Sequence, residues 1–518
     1  MMLVDYLDRG ARTAPDAPCF LDPDGTTVMT HGEFRTLTHR IAGALIRDGV
    51  RPGDRIGILS TNHPVALAGV AGILRAGAVW TAINVASGSA DQARFLATAG
   101  CRRIIYHQDL AERAGGLERQ AGLDQTRCFS PEPSGGDVFL DWLAPPDYRA
   151  PDPTPEPGRV VAMLPTGGTT GLPKAVPITG RQIHLMCLAF QIHLREAAPP
   201  RYLCATPMTH AAGLACLPVL AQGGAVIVHN GVLPEQIFSS IERNRASTIF
   251  LPPTALYKLL AHPRIREYDY SSLRRFLIAG APLAPDRLAE AVEVFGPVMT
   301  QSFGQAEAPM ICTVHEASDI AAAAADPSLA GRLASCGRPS AVARVEIMDD
   351  DGTLLGPGLR GEIVVKSDLV FGGYWQDPEA TAQTVRPGGW YGTGDIGLRD
   401  DDGFLYIVDR KKDMIITGGF NVFPSEVEAF LHTFPAVGDC AVIGLPDPKW
   451  GEAVTAVIEP KPGFRIDEQA LVAACKAHLG PVKAPKRIIV RELPRSGVGK
   501  VLKRTLRDEY WATTTRRI

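Results

Sequence analysis

The chain has 518 residues, too many for one ordinary hydrophobic core, so two or more domains are expected. Hydrophobic content of 45% and charged content of 21% suit a soluble globular protein, and a formal net charge of −3 argues against nucleic acid or an anionic membrane as partner. The ten cysteines stand singly, with no Cys-x-x-Cys pair, which speaks against a zinc site and for the reduced core thiols of a cytoplasmic protein.

Asp5, Asp8 and Arg9 come too early for an apolar signal-peptide core, so none is expected. Residues 32–48 have helical spacing, with Phe34, Leu37, Ile41 and Leu45 on one face. A short strand, Arg55–Leu59, and a helical stretch at 64–76 follow. Such alternation predicts a parallel sheet covered on both faces. Residues 144–158 hold six prolines and read as an exposed linker between two halves of a large domain. A strand at 159–164 comes next. A second alternating block runs from about 180 to 310, with buried strands at Ala225–Val228, Thr248–Leu251 and 276–279. Residues 213–232 are apolar but carry Pro218, Gln222, Gly223 and Gly224. These breaks suit a buried helix, a turn and a strand, so no integral membrane segment is expected. Residues 316–332 read as a surface helix or a mobile loop. From 335 to 408 short strands and glycine turns, such as Gly361–Lys366 and 404–409, indicate a smaller β-rich subdomain. After Arg410 comes a compact α+β unit, with helices at 424–432 and 467–479 and a strand at 440–444. Its roughly one hundred residues can fold separately. The fold class is therefore α/β: a large N-terminal domain of several subdomains, with parallel-type sheets and a β-rich part, and a small α+β C-terminal domain.

Leu164-Pro165-Thr166-Gly167-Gly168-Thr169-Thr170-Gly171-Leu172-Pro173-Lys174 packs glycines, hydroxyls and one lysine into a short run. Glycines let N–H groups close on an anion, and hydroxyls and the ammonium add donors and charge. The spacing is not that of the usual P-loop. Taken alone, the run suits a polyphosphate or a flexible turn equally.

Four further segments occur in order: Phe303-Gly304-Gln305-Ala306-Glu307, Trp390-Tyr391-Gly392-Thr393-Gly394-Asp395, Asp409-Arg410-Lys411-Lys412-Asp413 and Pro494-Arg495-Ser496-Gly497-Val498-Gly499-Lys500. With the first run they resemble the adenylate-forming superfamily: acyl- and aryl-CoA synthetases, luciferases and peptide-synthetase adenylation domains. The resemblance runs to about residue 507. It implies an N-terminal AMP-binding domain, 1–410, and a C-terminal domain, 411–518, that rotates about a hinge at Lys412. It also implies ATP, Mg²⁺ and CoA.

By the same resemblance, Thr166, Gly167, Gly168, Thr169, Thr170, Gly171 and Lys174 cradle the β and γ phosphates. Glu307, with Thr169, holds Mg²⁺, which needs only one or two carboxylates beside phosphate oxygens. Phe303 and Gly304 lie against adenine on one face and Gly280, Ala281 and Pro282 on the other. Asp395 accepts from the ribose hydroxyls, with Arg410 beside it. Lys500 is the adenylation lysine. His210, in Pro207-Met208-Thr209-His210, gates the acyl tunnel, guides the thiol or is structural. Gly418 and Gly419 leave room for pantetheine. The sequence departs from the family at Gly167 (often serine), Ala175 (often glycine), Phe303 (often tyrosine) and Ala306 (usually threonine).

The expected activity is that of an acid–thiol ligase. An apolar aliphatic or aromatic monocarboxylic acid becomes an acyl-adenylate and then a CoA thioester, with release of pyrophosphate and AMP. Two alternatives stand beside it: an adenylating enzyme that loads a separate carrier protein, and a catalytically silent nucleotide binder. A homodimer is the default assembly.

Overall fold

The computed structural model describes residues 3–129, 138–151, 156–167, 173–495 and 501–511. By its contacts the chain divides into two compact units: Met1–Val345 with Val365–Tyr391, and Glu346–Val364 with Gly392–Ile518.

The first unit carries two α/β sheets. One has six strands, in the order Gln125–Phe129, Arg103–His107, Arg55–Leu59, Val79–Ala82, Val160–Gly167 and Pro173–Thr179. All neighbours are parallel except the last pair. The helix Pro64–Arg75 that crosses between its strands has a histidine cap and proline in its first turn, and ten of its residues are buried. The other sheet has nine strands. Its parallel centre runs Met299–Phe303, Arg275–Ile278, Thr248–Leu251, Arg201–Cys204, Ala225–Val228 and Pro18–Leu21. These centre strands are short and β-branched or aromatic, as strands buried on both faces require. Leu203, Ile249, Phe276 and Met299 fill a core on one face with Phe238, Leu256 and Phe295.

Each sheet draws strands from before and after the Pro-rich segment. Pro18–Leu21 joins the later sheet and Val160–Gly167 the earlier one. Strands therefore cross the segment in both directions, and its described residues are mostly exposed, with two buried anchor points. Ala144 and Ala150 are buried. Arg40 Nε donates to the Ala144 carbonyl at 2.8 Å, and the Ala150 N–H donates to His39 Nδ1 at 3.1 Å. A Pro-rich strap carries few N–H groups to satisfy, and its alanines pack on the helix His31–Arg47. Residues 152–155 lie outside the described residues.

Residues 317–325 form a helix with Ile320 and Ala323 buried in the core, so that stretch is an amphipathic helix. In the second unit, the antiparallel ribbon Val437–Asp447 with Gly451–Pro460 packs on the helices Pro424–Leu431 and Glu468–Lys483 around Val427, Leu431, Val454 and Cys475. Among the described residues no helix is long and apolar enough to cross a membrane. No disulfide joins any of the ten cysteines, and nine are buried.

Candidate active site

The strand Val160–Gly167 pairs with Pro173–Thr179 in an antiparallel ladder that continues to Thr166 opposite Lys174 and Gly167 opposite Pro173. The two paired strands thus reach both edges of the Gly/Thr run. Gly168, Thr169, Thr170 and Gly171 lie outside the described residues, as does Lys500. Thr166 is half-buried near the end of the first strand. Ala175, where relatives often have glycine, is buried with Val79, Phe95 and Met163, and its carbonyl accepts from the Trp375 N–H at 2.9 Å. Its methyl group is a packed member of the core.

Lys174 Nζ lies 4.6 Å from the centroid of the Tyr374 ring. The Tyr374 hydroxyl donates to Glu307 Oε1 at 2.7 Å. The Phe371 N–H donates to the Glu307 carbonyl at 2.8 Å, so the segment 371–375 is fastened to the glutamate by both main chain and side chain. Burial first, and then the Glu307 carboxylate, push the Tyr374 phenol well above its ordinary pKa. It stays a hydroxyl donor. One aromatic ring thus joins Lys174 to the candidate metal ligand. Sequence reading missed Tyr374. The only signal was the glycine pair before it, Gly372-Gly373.

Glu307 is 6% exposed, and Tyr374 occupies one of its two oxygens. Among the described residues no three His, Cys, Asp or Glu side chains group to hold a metal by themselves. A single oriented carboxylate fits magnesium, which arrives with a triphosphate and keeps phosphate and water oxygens as its other ligands.

Leu251, Ile278 and Gln301 lie side by side on parallel strands. The segments that follow, Pro252, Ala279-Gly280-Ala281-Pro282 and Phe303-Gly304, therefore leave the sheet together at its carboxyl edge, where α/β sheets bind ligands. Gly280 has φ +94°. Gly304 runs against the Met310 backbone. Phe303 is half-buried. The Gln305 side-chain carbonyl accepts from the Tyr391 hydroxyl at 2.7 Å, and Ala306 brings no hydroxyl.

His210 caps the helix Ala211–Leu220 without a side-chain capping bond. Its Nδ1 is buried with no hydrogen-bond partner, and burial lowers its pKa, so the ring is neutral near pH 7. The loop before it is held by Asn62, a second residue the sequence did not reveal. Its Oδ1 accepts from the Met208 N–H at 2.7 Å, and its Nδ2 donates to the Thr206 and His229 carbonyls. Two cavities flank the helix. One is apolar, with Leu7, Leu67, Trp80, Leu214 and Leu217 in its wall. The other lies against the nine-stranded sheet, with Tyr202, Phe250, Leu277, Ala215 and Gln222 in its wall.

In the second unit Asp395 and Arg410 are direct partners across an antiparallel ladder, with Nε 3.2 Å from Oδ1. Asp395 is 5% exposed, and its N–H donates to Thr393 Oγ1. Lys412 lies in a 3₁₀ turn, Lys411–Asp413. Its carbonyl accepts from Arg507 Nη1 at 3.2 Å. Arg507 belongs to the helix Lys503–Trp511, whose Lys503 pairs with Glu428 at 2.7 Å. Gly418 and Gly419, with φ +57° and +83°, form the two-residue turn between Ile415–Thr417 and Phe420–Val422. The hairpin demands positive φ at both, whatever else passes over them.

A lysine at the edge of a Gly/Thr run, resting on the ring that holds a buried carboxylate in a unit of parallel sheets, is the make-up of a phosphate-handling α/β protein. The chain belongs to the AMP-binding enzyme family: residues 7–375 match that family, and residues 426–500 match the AMP-binding enzyme C-terminal domain. It is 38% identical over 503 residues to the medium/long-chain-fatty-acid–CoA ligase FadD8 of Mycobacterium tuberculosis (strain ATCC 25618 / H37Rv), covering 94% of this chain and 86% of that one. It is 36% identical over 510 residues to a feruloyl-CoA synthase of Amycolatopsis sp, covering 97% and 98%. The solved amide bond synthetase McbA of Marinactinospora thermotolerans superposes with a TM-score of 0.85 at 31% identity, covering 98% of this chain and all of that one.

Proposed function

We propose that the chain is an AMP-forming carboxylate–CoA ligase. The observation that carries this reading is the link from Lys174 through Tyr374 to Glu307, in a chain similar over nearly its whole length to named CoA ligases. In the first step a carboxylate oxygen attacks the α-phosphorus of ATP, the α–β bridge breaks and pyrophosphate leaves. In the second a thiolate attacks the acyl carbon and AMP leaves.

The first step brings two anions together, so the site has to neutralise them. Lys174 and the N–H groups of the Gly/Thr run serve the β and γ phosphates. Glu307, aimed by Tyr374, would hold Mg²⁺ together with Thr169. The ion would screen charge and draw electrons from the phosphoryl oxygens. Phe303 and the Gly280-Ala281-Pro282 segment bracket the base, Asp395 and Arg410 take the ribose, and Lys500 meets the charge growing at the α-phosphate. Neutral His210 stands where the acid or thiol enters. Residues 411–518 turn about Lys412 between the two steps, and Gly418 and Gly419 then border the pantetheine arm. Ten cysteines without a disulfide among them support a reducing, cytoplasmic setting.

The deciding experiment incubates the purified chain with ATP, Mg²⁺, CoA and a panel of acids. Acid-dependent AMP, pyrophosphate and acyl-CoA are expected in equal amounts. ADP as co-product would refute the reading, and thioester formed only on a carrier protein would move the acceptor.

A further inference from the structure

Residues 393–395, which end on the candidate ribose carboxylate, are held by the neighbouring strand Gly361–Lys366. Thr393 Oγ1 donates to the Ile363 carbonyl at 2.8 Å, and the Asp395 N–H donates to Thr393 Oγ1 at 3.1 Å. Between them Gly394, at φ +72°, donates its N–H to Glu362 Oε1 at 3.1 Å. The other oxygen of that carboxylate, Oε2, lies 3.4 Å from Lys411 Nζ. Lys411 opens the 3₁₀ turn Lys411–Asp413 and stands directly before Lys412, whose carbonyl accepts from Arg507.

Lys411 also reaches Asp350 Oδ1 at 2.7 Å, but the two bonds differ in weight. The Asp350 side chain is 89% exposed, where water screens an ion pair to little. Glu362 is 4% exposed, and a carboxylate so buried depends on the donors that reach it. Two of those donors belong to different motifs: the Gly394 N–H, next to Asp395, and the Lys411 ammonium, next to Lys412. An apolar side chain would join the same segments without burying a charge.

Given the ligase reading, on which this rests, we infer that Glu362 is a positioning residue that ties residues 393–395 to the hinge through Lys411. A carboxylate is planar and rigid, so fixing Oε1 on Gly394 fixes the direction in which Oε2 meets the ammonium. A ribose held by Asp395 steadies residues 393–395, and Glu362 passes that order to the backbone at 411–413. The coupling runs both ways. The arrangement of the hinge that keeps Lys411 on Glu362 binds the nucleotide more tightly, and a hinge that turns away gives it up more readily. One side chain thereby links retention of AMP to the turning of residues 411–518.

Arg410, Lys411 and Lys412 are trypsin sites, so cleavage after them reports how often the hinge backbone opens. The test digests the full chain with trypsin, with and without AMP at a concentration that calorimetry shows to be saturating, and follows cuts after residues 410–412 by mass spectrometry. AMP is expected to slow these cuts by about fivefold or more in the unaltered chain. Glu362→Gln and Lys411→Met should each reduce that protection to less than about twofold. Lys411→Arg, which keeps the cation, should retain it. Glu362→Gln should also raise KM for ATP in pyrophosphate exchange by about threefold or more, with KM for the acid unchanged. If Glu362→Gln fails to fold, Lys411→Met, at a partly exposed side chain, decides alone. Protection equal to that of the unaltered chain in the folded variants means that AMP steadies the hinge by another route, and overturns the inference alone. So does an unaltered chain that binds AMP and gains no protection from it. Absence of AMP release with every acid overturns the ligase reading and this inference together.

Discussion

Tyr374 spans two motifs far apart in the chain. It donates to Glu307, and Lys174 rests on its ring. Removing the hydroxyl leaves a buried carboxylate oxygen without its donor and free to rotate. Tyr374→Phe is therefore expected to raise the Mg²⁺ concentration for half-maximal pyrophosphate exchange by about tenfold, with little change in acid preference. An unmoved Mg²⁺ dependence would detach Glu307 from the metal. Glu307, Lys174 and Asp395 could be singled out in the sequence because their motifs, taken in order, resemble those of a known family. Tyr374 and Asn62 could not. A tyrosine after two glycines and an asparagine after a strand carry no periodicity and no charge, and their roles arise from partners more than 60 positions away.

Elements that depend on local pattern were legible. The helix at 31–47, the strand Arg55–Leu59 and the centre strands of the larger sheet follow from spacing and apolar runs. Pairing was not. Nothing in 159–164 says that its strand continues to Gly167 and turns back on itself, or that Pro18–Leu21 crosses to the later sheet, because non-local pairing leaves no trace in composition. The strand read at 440–444 extends from Val437 to Asp447, and Gly438 and Pro446 are absorbed by a long ribbon. The helix after His210 shows how tightly elements can close. A β-carbon on Gly213 would lie 1.9 Å from the Met208 carbonyl oxygen. Gly213→Ala should destabilise the chain by about 1–3 kcal/mol and lower kcat/KM by displacing the His210 loop. Denaturant unfolding and steady-state rates together check this. Wild-type stability in the variant would mean that the loop yields freely.

Across the whole molecule, the proposed ligase divides its two reactions between two postures of one chain. Lys500→Ala should therefore slow acid-dependent ATP–pyrophosphate exchange by at least about 100-fold. Thioester formation from synthetic acyl-AMP and CoA should stay within about threefold of normal. Equal loss in both half-reactions, with the melting temperature unchanged, would refute the division. The antiparallel ladder beneath the Gly/Thr run bears on how such an enzyme can change. Its last pair, Gly167 and Pro173, is fixed by the sheet at the usual cross-strand spacing of about 5 Å. A strand leads into the five residues 168–172 and a strand leads out of them, with no helix on either side of the run. On the proposed reading, exchanging those five between related chains should change affinity for ATP while the ladder on either side is kept.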